Sequence, residues 1–250
     1  MSKKNIICFG EILWDMLPSG KKPGGAPMNV AYHLQQLGDS SRMISRVGND
    51  DSGRALIEFL KKKEIDTNWV QQDDNLPTST VKVSLDKDGT PTYEIVENVA
   101  WDNIQISPGL LNEVTEANAI IFGSLACRTA QSHHTLIELL KIATLRIFDV
   151  NLRPPFYSKS LLEQLLTYAD MVKVNKEELK IVAKWIGNFP NEIEKIKAVK
   201  DRYNLDIIIV TKGERGAICI DNNEVFNHPI FPVIVADTVG SGDAFLAGCV

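Results

Sequence analysis

The sequence predicts an α/β protein, a mostly parallel central sheet with helices on both faces and a small separate β unit beside it. Three observations predict it. Short continuous apolar runs, as at 5–9, 120–123 and 206–211, suit strands buried on both sides. Between them lie segments with apolar residues at helical spacing, and strands alternating with helices build parallel sheets. One stretch, 78–99, alternates apolar with polar residues instead, which marks an antiparallel hairpin with one wet face.

The elements follow in order. The run 5–9 is a strand that stops at Gly10. Val30, Leu34 and Leu37 give 26–37 helical spacing, and Gly38 ends it. Residues 43–47 read as a strand and 53–63 as a helix, with Leu56, Ile57 and Leu60 on one side. In the hairpin, Val81, Val83 and Leu85 precede a turn at Asp86-Lys87-Asp88-Gly89, and Tyr93, Ile95 and Val96 form the return strand. The alternation then resumes with strands at 120–123, 146–150, 171–174 and 206–211 and helices at 132–142, 159–167, 176–186 and 191–202. Two short β runs, 217–220 and 230–235, come before a helix that starts near Asp243. No repeat and no Gly-, Ser- or Pro-rich linker interrupts the chain, so 1–250 is expected to form one domain.

Composition narrows the function. A chain of 250 residues with 44% hydrophobic and 24% charged residues can bury a sizeable core, which excludes a disordered or fibrous protein. The net charge of -5 argues against nucleic acid or an anionic membrane as partner. No apolar run approaches the roughly 20 residues of a membrane span, and the one after Met1-Ser2-Lys3-Lys4 is too short for a signal peptide. Cys8, Cys127, Cys219 and Cys249 lie far apart in apolar surroundings and are expected to be reduced, buried thiols of a cytoplasmic protein. His33, His133, His134 and His228 show no zinc-site spacing, and His133-His134 are expected near a helix start, partly exposed.

In such sheets ligands bind at the carboxyl ends of the strands. Polar residues and glycines gather there: Glu11 and Asp15 after the first strand, Asp149 in the strand 146–150 with Asn151 and Arg153 after it, Asn175 and Glu178 after 171–174, then Thr211-Lys212-Gly213. The sharpest segment is Asp237-Thr238-Val239-Gly240-Ser241-Gly242-Asp243. A β run, a Gly-Ser-Gly loop and a helix start aim backbone N–H groups and the helix dipole at one spot, which suits a phosphate. Asp243 at its edge could take a proton from an alcohol. The same pattern also serves as a plain turn with an Asp cap. Gly24-Gly25-Ala26-Pro27-Met28-Asn29 is either a tight turn before a helix or a close-approach surface for a small polar ligand, with Asn29 as donor and acceptor. Asn175 with Glu178 is also the pattern of a capping box. Asp15 also reads as an exposed loop carboxylate, Arg153 as a surface residue and Lys21-Lys22 as an exposed loop. There is no Walker A loop, and Phe245 stands where a dinucleotide fingerprint needs glycine.

Together and in this order, these segments resemble the ribokinase-like (PfkB) carbohydrate kinases. Gly24-Gly25-Ala26-Pro27-Met28-Asn29-Val30-Ala31 resembles the family's sugar-side motif, Asn175-x-x-Glu178 its magnesium and phosphate motif, and Asp237 to Phe245 its catalytic motif, with Ser241 where most members carry Ala. The resemblance implies roles. Asp243 would be the catalytic base, and Gly240, Ser241 and Gly242 the anion hole. Asp15, Gly24, Gly25, Asn29 and Arg153 would hold the sugar. Asn175, Thr211, Gly213 and Gly216 would line the nucleotide side. Glu178 would order Mg2+ through water, and Asp237, with Thr238, would lie where many members bind a monovalent cation, which here would be K+. Segments 11–23 and 78–101 would form a β lid over the sugar, with exposed edges that suggest a homodimer. ATP would be the donor.

The sugar-side motif and Phe148-Asp149-Val150-Asn151-Leu152-Arg153-Pro154-Pro155 look most like the family's fructokinases, which make fructose 6-phosphate. The rival is a 2-keto-3-deoxygluconate kinase, whose substrate carboxylate would use Arg153 or Tyr93. A phosphorylated sugar would need more basic residues than Lys21 and Lys22, and a nucleoside more aromatic ones. A non-catalytic sugar-binding regulator on the same fold is disfavoured because Asp243, Gly240 and Gly242 are all present. The resemblance further implies that the helix from Asp243 runs on, with later elements completing the adenine pocket, so a longer protein is expected.

Overall fold

A computed structural model describes residues 3–17, 20–85, 91–222, 224–231 and 238–250. In chain order the strands and helices are β1 (Asn5–Phe9), β2 (Leu13–Leu17), β3 (Gly20–Gly24), α1 (Ala26–Leu37), β4 (Ser40–Gly48), α2 (Asp51–Lys62), β5 (Val70–Asp73), β6 (Ser79–Leu85) and β7 (Pro91–Ile95). Then come α3 (Leu110–Glu116), β8 (Ala119–Gly123), α4 (Ala130–Leu140), β9 (Arg146–Asp149), α5 (Lys159–Tyr168), β10 (Met171–Asn175), α6 (Lys176–Lys184), α7 (Glu192–Tyr203), β11 (Ile207–Thr211), β12 (Ala217–Asp221), β13 (Glu224–His228) and α8 (Ser241–Cys249).

The main sheet runs β13-β12-β11-β10-β9-β8-β1-β4-β5. It is parallel from β11 to β5, and β12 and β13 are antiparallel additions at one edge. The chain builds outward from β1 to β4 and β5, then returns to lay β8, β9, β10 and β11 on the other side of β1. That reversal opens a crevice beside β1 at the carboxyl ends of the strands, where doubly wound sheets bind ligands.

Alternation along the strands sends apolar side chains to both faces. Ile7 and Phe9 join Phe122, Phe148 and Val172 under α3 to α7. Ile6 and Cys8 join Met43, Ile121 and Ile147 under α1, α2 and α8. The caps follow the sequence: the side chains of Asp50, Ser158, Asn175 and Asn191 each accept a first-turn amide of the helix they start.

β2, β3, β6 and β7 form a second sheet in the order β3-β2-β6-β7, clear of the main one. Its hairpin β6–β7 is antiparallel, as the alternation at 78–99 predicts, while β2 and β6 run parallel. The turn at 86–89 lies outside the described residues. Leu13 and Val81 pack with Leu17 and Ile95 on the face toward the crevice.

Several expectations need correction. The last β run is Glu224–His228, not 230–235; Ile230 and Phe231 carry no strand, and 232–235 lie outside the described residues. β5 and α3 have too short an apolar pattern to show in the sequence. Lys21 and Lys22 belong to β3 rather than a loop, with the Lys21 ammonium over the Trp14 ring. α8 starts at Ser241, two residues before Asp243. Cys8 and Cys127 are buried, and burial pushes their thiols up, but Cys219 is half-buried and Cys249 exposed. His133 is half-buried and His134 exposed on the first turns of α4, as expected. No helix of the described residues is long and apolar enough to cross a membrane.

Candidate active site

A cavity of about 650 Å³ occupies the crevice, roofed by Leu13, Val81 and Ile95 of the small sheet. Its floor is set by α1 and α8, which pack together through Met28, Ala31, Leu246 and Ala247. α1 begins tightly against β1. Gly25 caps it at φ 113, and a Cβ there would strike the carbonyl of Glu11, so only glycine fits. One turn on, the Asn29 Nδ2 donates to Asp243 Oδ2 at 2.8 Å. Gly240 joins them: a Cβ on it would lie 3.8 Å from Asn29 Nδ2 and 3.9 Å from Asp243 Oδ2. Ser241 N–H already donates to the Thr238 carbonyl, so the amides that α8 can offer an anion are those of Gly242 and Asp243 in its first turn.

Burial, the largest influence, and Asp149 push the Asp243 carboxyl up to about 6, while Asn29, Lys173 and Arg153 hold it down. It remains mostly ionised at neutral pH, the state a proton acceptor needs. Glu11 is 3% exposed, its Oε2 has no hydrogen-bond partner among the described residues, and burial pushes it up to about 7. Burial also raises Asp15, and Arg153 opposes it. Arg153 thus faces three carboxylates, Glu11, Asp15 and Asp243.

On the other side, Asn175 caps α6. Its Oδ1 accepts from Glu177 and Glu178 N–H, both at 2.9 Å, and Glu178 Oε2 accepts from Asn175 N–H at 2.8 Å. Glu178 Oε1 accepts from Leu152 N–H at 2.9 Å. The capping box is therefore real, yet the same two residues line the cavity. Burial raises the Glu178 carboxyl.

The cavity brings together Asp15, Gly25, Asn29, Arg153, Asn175, Glu178, Thr211, Gly213, Gly240, Ser241, Gly242 and Asp243. Arg153 is half-buried rather than a surface residue, and Asp15 lies on β2 rather than a loop. Gly24 and Gly216 are not in the lining. A Cβ on Gly24 would collide with the Asp15 carboxylate, so this glycine makes room for Asp15. A Cβ on Gly216 would collide with the His228 carbonyl, so this one lets the chain cross beside β13. Asp237 lies outside the described residues, and among them no group of three His, Cys, Asp or Glu side chains could hold a metal.

Sequence reasoning missed Lys173. It pairs with Asp149 across β9 and β10, is 6% exposed and lines the cavity. The signal was available: a lysine inside the apolar run Met171-Val172-Lys173-Val174, matched by an aspartate inside Phe148-Asp149-Val150.

Residues 17–250 match the pfkB family of carbohydrate kinases. The chain is 31% identical to the fructokinase of Klebsiella pneumoniae over 257 residues, which covers 97% of this chain and 82% of that protein. Its fold superposes on a sugar kinase of Pyrococcus horikoshii in complex with ATP at a TM-score of 0.79, with 30% identity over 97% of this chain and 82% of the other. It superposes on the fructokinase of Vibrio cholerae with fructose, ADP and calcium at 0.84, with 26% identity over 99% and 83%. A doubly wound sheet with a second small sheet and a carboxylate at a glycine-bounded helix start defines the class, a ribokinase-like kinase. The chain belongs to the pfkB carbohydrate kinase family.

Proposed function

We propose that the protein transfers the γ-phosphoryl group of ATP to a hydroxyl of a neutral sugar, D-fructose first, giving fructose 6-phosphate. The observation that carries this reading is the meeting of Asn29, Gly240 and Asp243 at the floor of a cavity with room for two ligands. Asp243 takes the hydroxyl proton as the oxygen attacks the γ-phosphorus and ADP leaves. Amides at the start of α8 hold the charge on the transferring group. The small sheet, as the lid, keeps out water that would otherwise compete as acceptor.

Charge on the acceptor side favours fructose over 2-keto-3-deoxygluconate. Asp15 and Asp243, with a partly ionised Glu11, outnumber Arg153, and an excess of carboxylates suits hydroxyls and repels a substrate carboxylate. Arg153 is the observation that keeps the acid sugar as the second reading. Glu178 would face a Mg2+ ion through water. Such an ion, held mainly by triphosphate and water, would offset triphosphate charge. Potassium activation, expected at Asp237, belongs to the same reading. So do a cytoplasmic location and a homodimer through the open edges β3 and β7 of the lid; a light-scattering mass of one subunit removes the dimer.

The test is a coupled ADP-release assay with MgATP over a sugar panel, with and without K+. Turnover with fructose supports the proposal. Turnover with 2-keto-3-deoxygluconate and none with fructose replaces the substrate, and no turnover with any sugar removes the kinase reading.

A further inference from the structure

A buried Lys–Asp pair stands directly beneath the start of α8. Lys173 Nζ donates to Asp149 Oδ1 at 2.8 Å and Oδ2 at 3.0 Å. Both residues are almost fully buried, at 6% and 4% exposure, beside the apolar Ile147 and Phe148 of β9 and Met171, Val172 and Val174 of β10. An ammonium has a third N–H. A Cβ on Gly242 would lie 3.1 Å from Nζ and 3.7 Å from Cε. Gly242 is not among the residues with positive φ. Its backbone does not demand glycine, but a larger residue would push on the ammonium, which its bonds to Asp149 hold in place.

We infer that Lys173, clamped by Asp149, is a positioning residue of the phosphate cradle: its ammonium fixes charge behind Gly242 and beside Asp243. The inference rests on the kinase reading above and extends it. A buried ion pair is weak support for a fold, since apolar residues of like size often serve as well or better. A fixed cation under first-turn amides has a clear use where phosphoryl charge develops. It also acts on Asp243, whose charged and polar surroundings are Lys173 and Asp149 from the sheet, Arg153 and Glu11 from the loops after β9 and β1, and Asn29 from α1. Lys173, Arg153 and Asn29 favour the ionised carboxylate; Asp149 and Glu11 oppose it. Burial, the largest single influence, works against the Lys173 charge, but Asp149, Glu178 and Asp243 together outweigh it and keep the ammonium protonated.

The test compares wild type, Lys173→Met, Asp149→Asn and the double variant, which removes both buried charges and so keeps a balanced core. ¹³C-carboxyl NMR follows the titration of Asp243 without substrates. Lys173→Met should raise its midpoint by about one pH unit, Asp149→Asn should lower it, and the double variant should return near wild type. With fructose and MgATP, Lys173→Met and the double variant should both lose about 100-fold or more in kcat, with the fructose KM held within about threefold. A merely structural pair would leave the midpoint of Asp243 in place. An unmoved midpoint in Lys173→Met, or a kcat of the double variant within about threefold of wild type, overturns the inference. Because the NMR arm needs neither sugar nor nucleotide, a wild type with no sugar turnover sinks the kinase reading alone, while the midpoints still decide the coupling.

Discussion

The two halves of the cavity are built differently. The half proposed for the acceptor is held by charged and polar side chains: Glu11 and Asp15 close to Arg153, and Asn29 bonded to Asp243, under a roof of Leu13, Val81 and Ile95. The half proposed for the donor is held by backbone and caps: Asn175 and Glu178 satisfy one another and nearby amides, and among the described residues Thr211 Oγ1 reaches only the Val174 carbonyl, at 3.5 Å. Beyond it, Val225, Phe226, Ile230 and Phe231 are 43% to 75% exposed. On the proposed function, the difference means that the site would select its acceptor with charged side chains in a covered space, and hold its donor with groups any triphosphate can use. Substitutions on the acceptor half should change which sugar reacts, and those on the donor half should change how tightly the nucleotide binds.

The largest expected effect lies between the halves. Asp243→Asn should lower kcat by about 10²- to 10⁴-fold with a nearly constant fructose KM, measured by steady-state ADP release. Wild-type-like turnover would break the comparison at its centre. Next, Asp15→Ala should raise the fructose KM by about tenfold or more, the cost of leaving sugar hydroxyls unpaired, with the ATP KM within about twofold. An unchanged fructose KM would mean that Asp15 does not read the acceptor.

The pH profile sharpens the same point. With Asp243 as the proposed base its ionised form would be the active one, so kcat/KM should rise with pH through about 6 and level off above it. Glu11 makes a stability test. Its carboxyl is raised to about 7 in the fold, so its contribution is full below the ordinary value of 4.5 and is lost as pH rises through 7. Glu11→Gln should flatten that fall, worth at most about 3 kcal/mol, in denaturant titrations between those limits. The smallest effect is on the donor half: Thr211→Ala should move the ATP KM by about threefold or less, because its hydroxyl bond is already at the distance limit.

Much of the fold was legible because buried parallel strands and amphipathic helices write their periods plainly, and because Asn175, Asn191 and Gly38 punctuate helices at their ends. The misses have physical reasons. β13 is exposed along its whole length, so Glu224-Val225-Phe226-Asn227-His228 lacks the apolar run that 230–235 has. β3 holds Gly20 and Pro23 and carries no strand pattern. In the site, the motif residues were legible by spacing. Lys173 was not, because its partner Asp149 is 24 residues away and only strand register makes them neighbours. Gly24 and Gly216 looked like ligand contacts, but their glycine character serves Asp15 and His228.

The bond between Asn29 and Asp243 joins residues 214 positions apart, from the first and last helices of the described residues. It therefore belongs to the contacts of highest sequence separation, which form late because their loop-closure entropy falls due before they stabilise anything. A refolding chain should regain helical signal from α4 to α7 before it regains any phosphoryl transfer. Return of activity would then be a timer on folding: Asp243 acquires its partner Asn29 only once the sheet between them has been assembled.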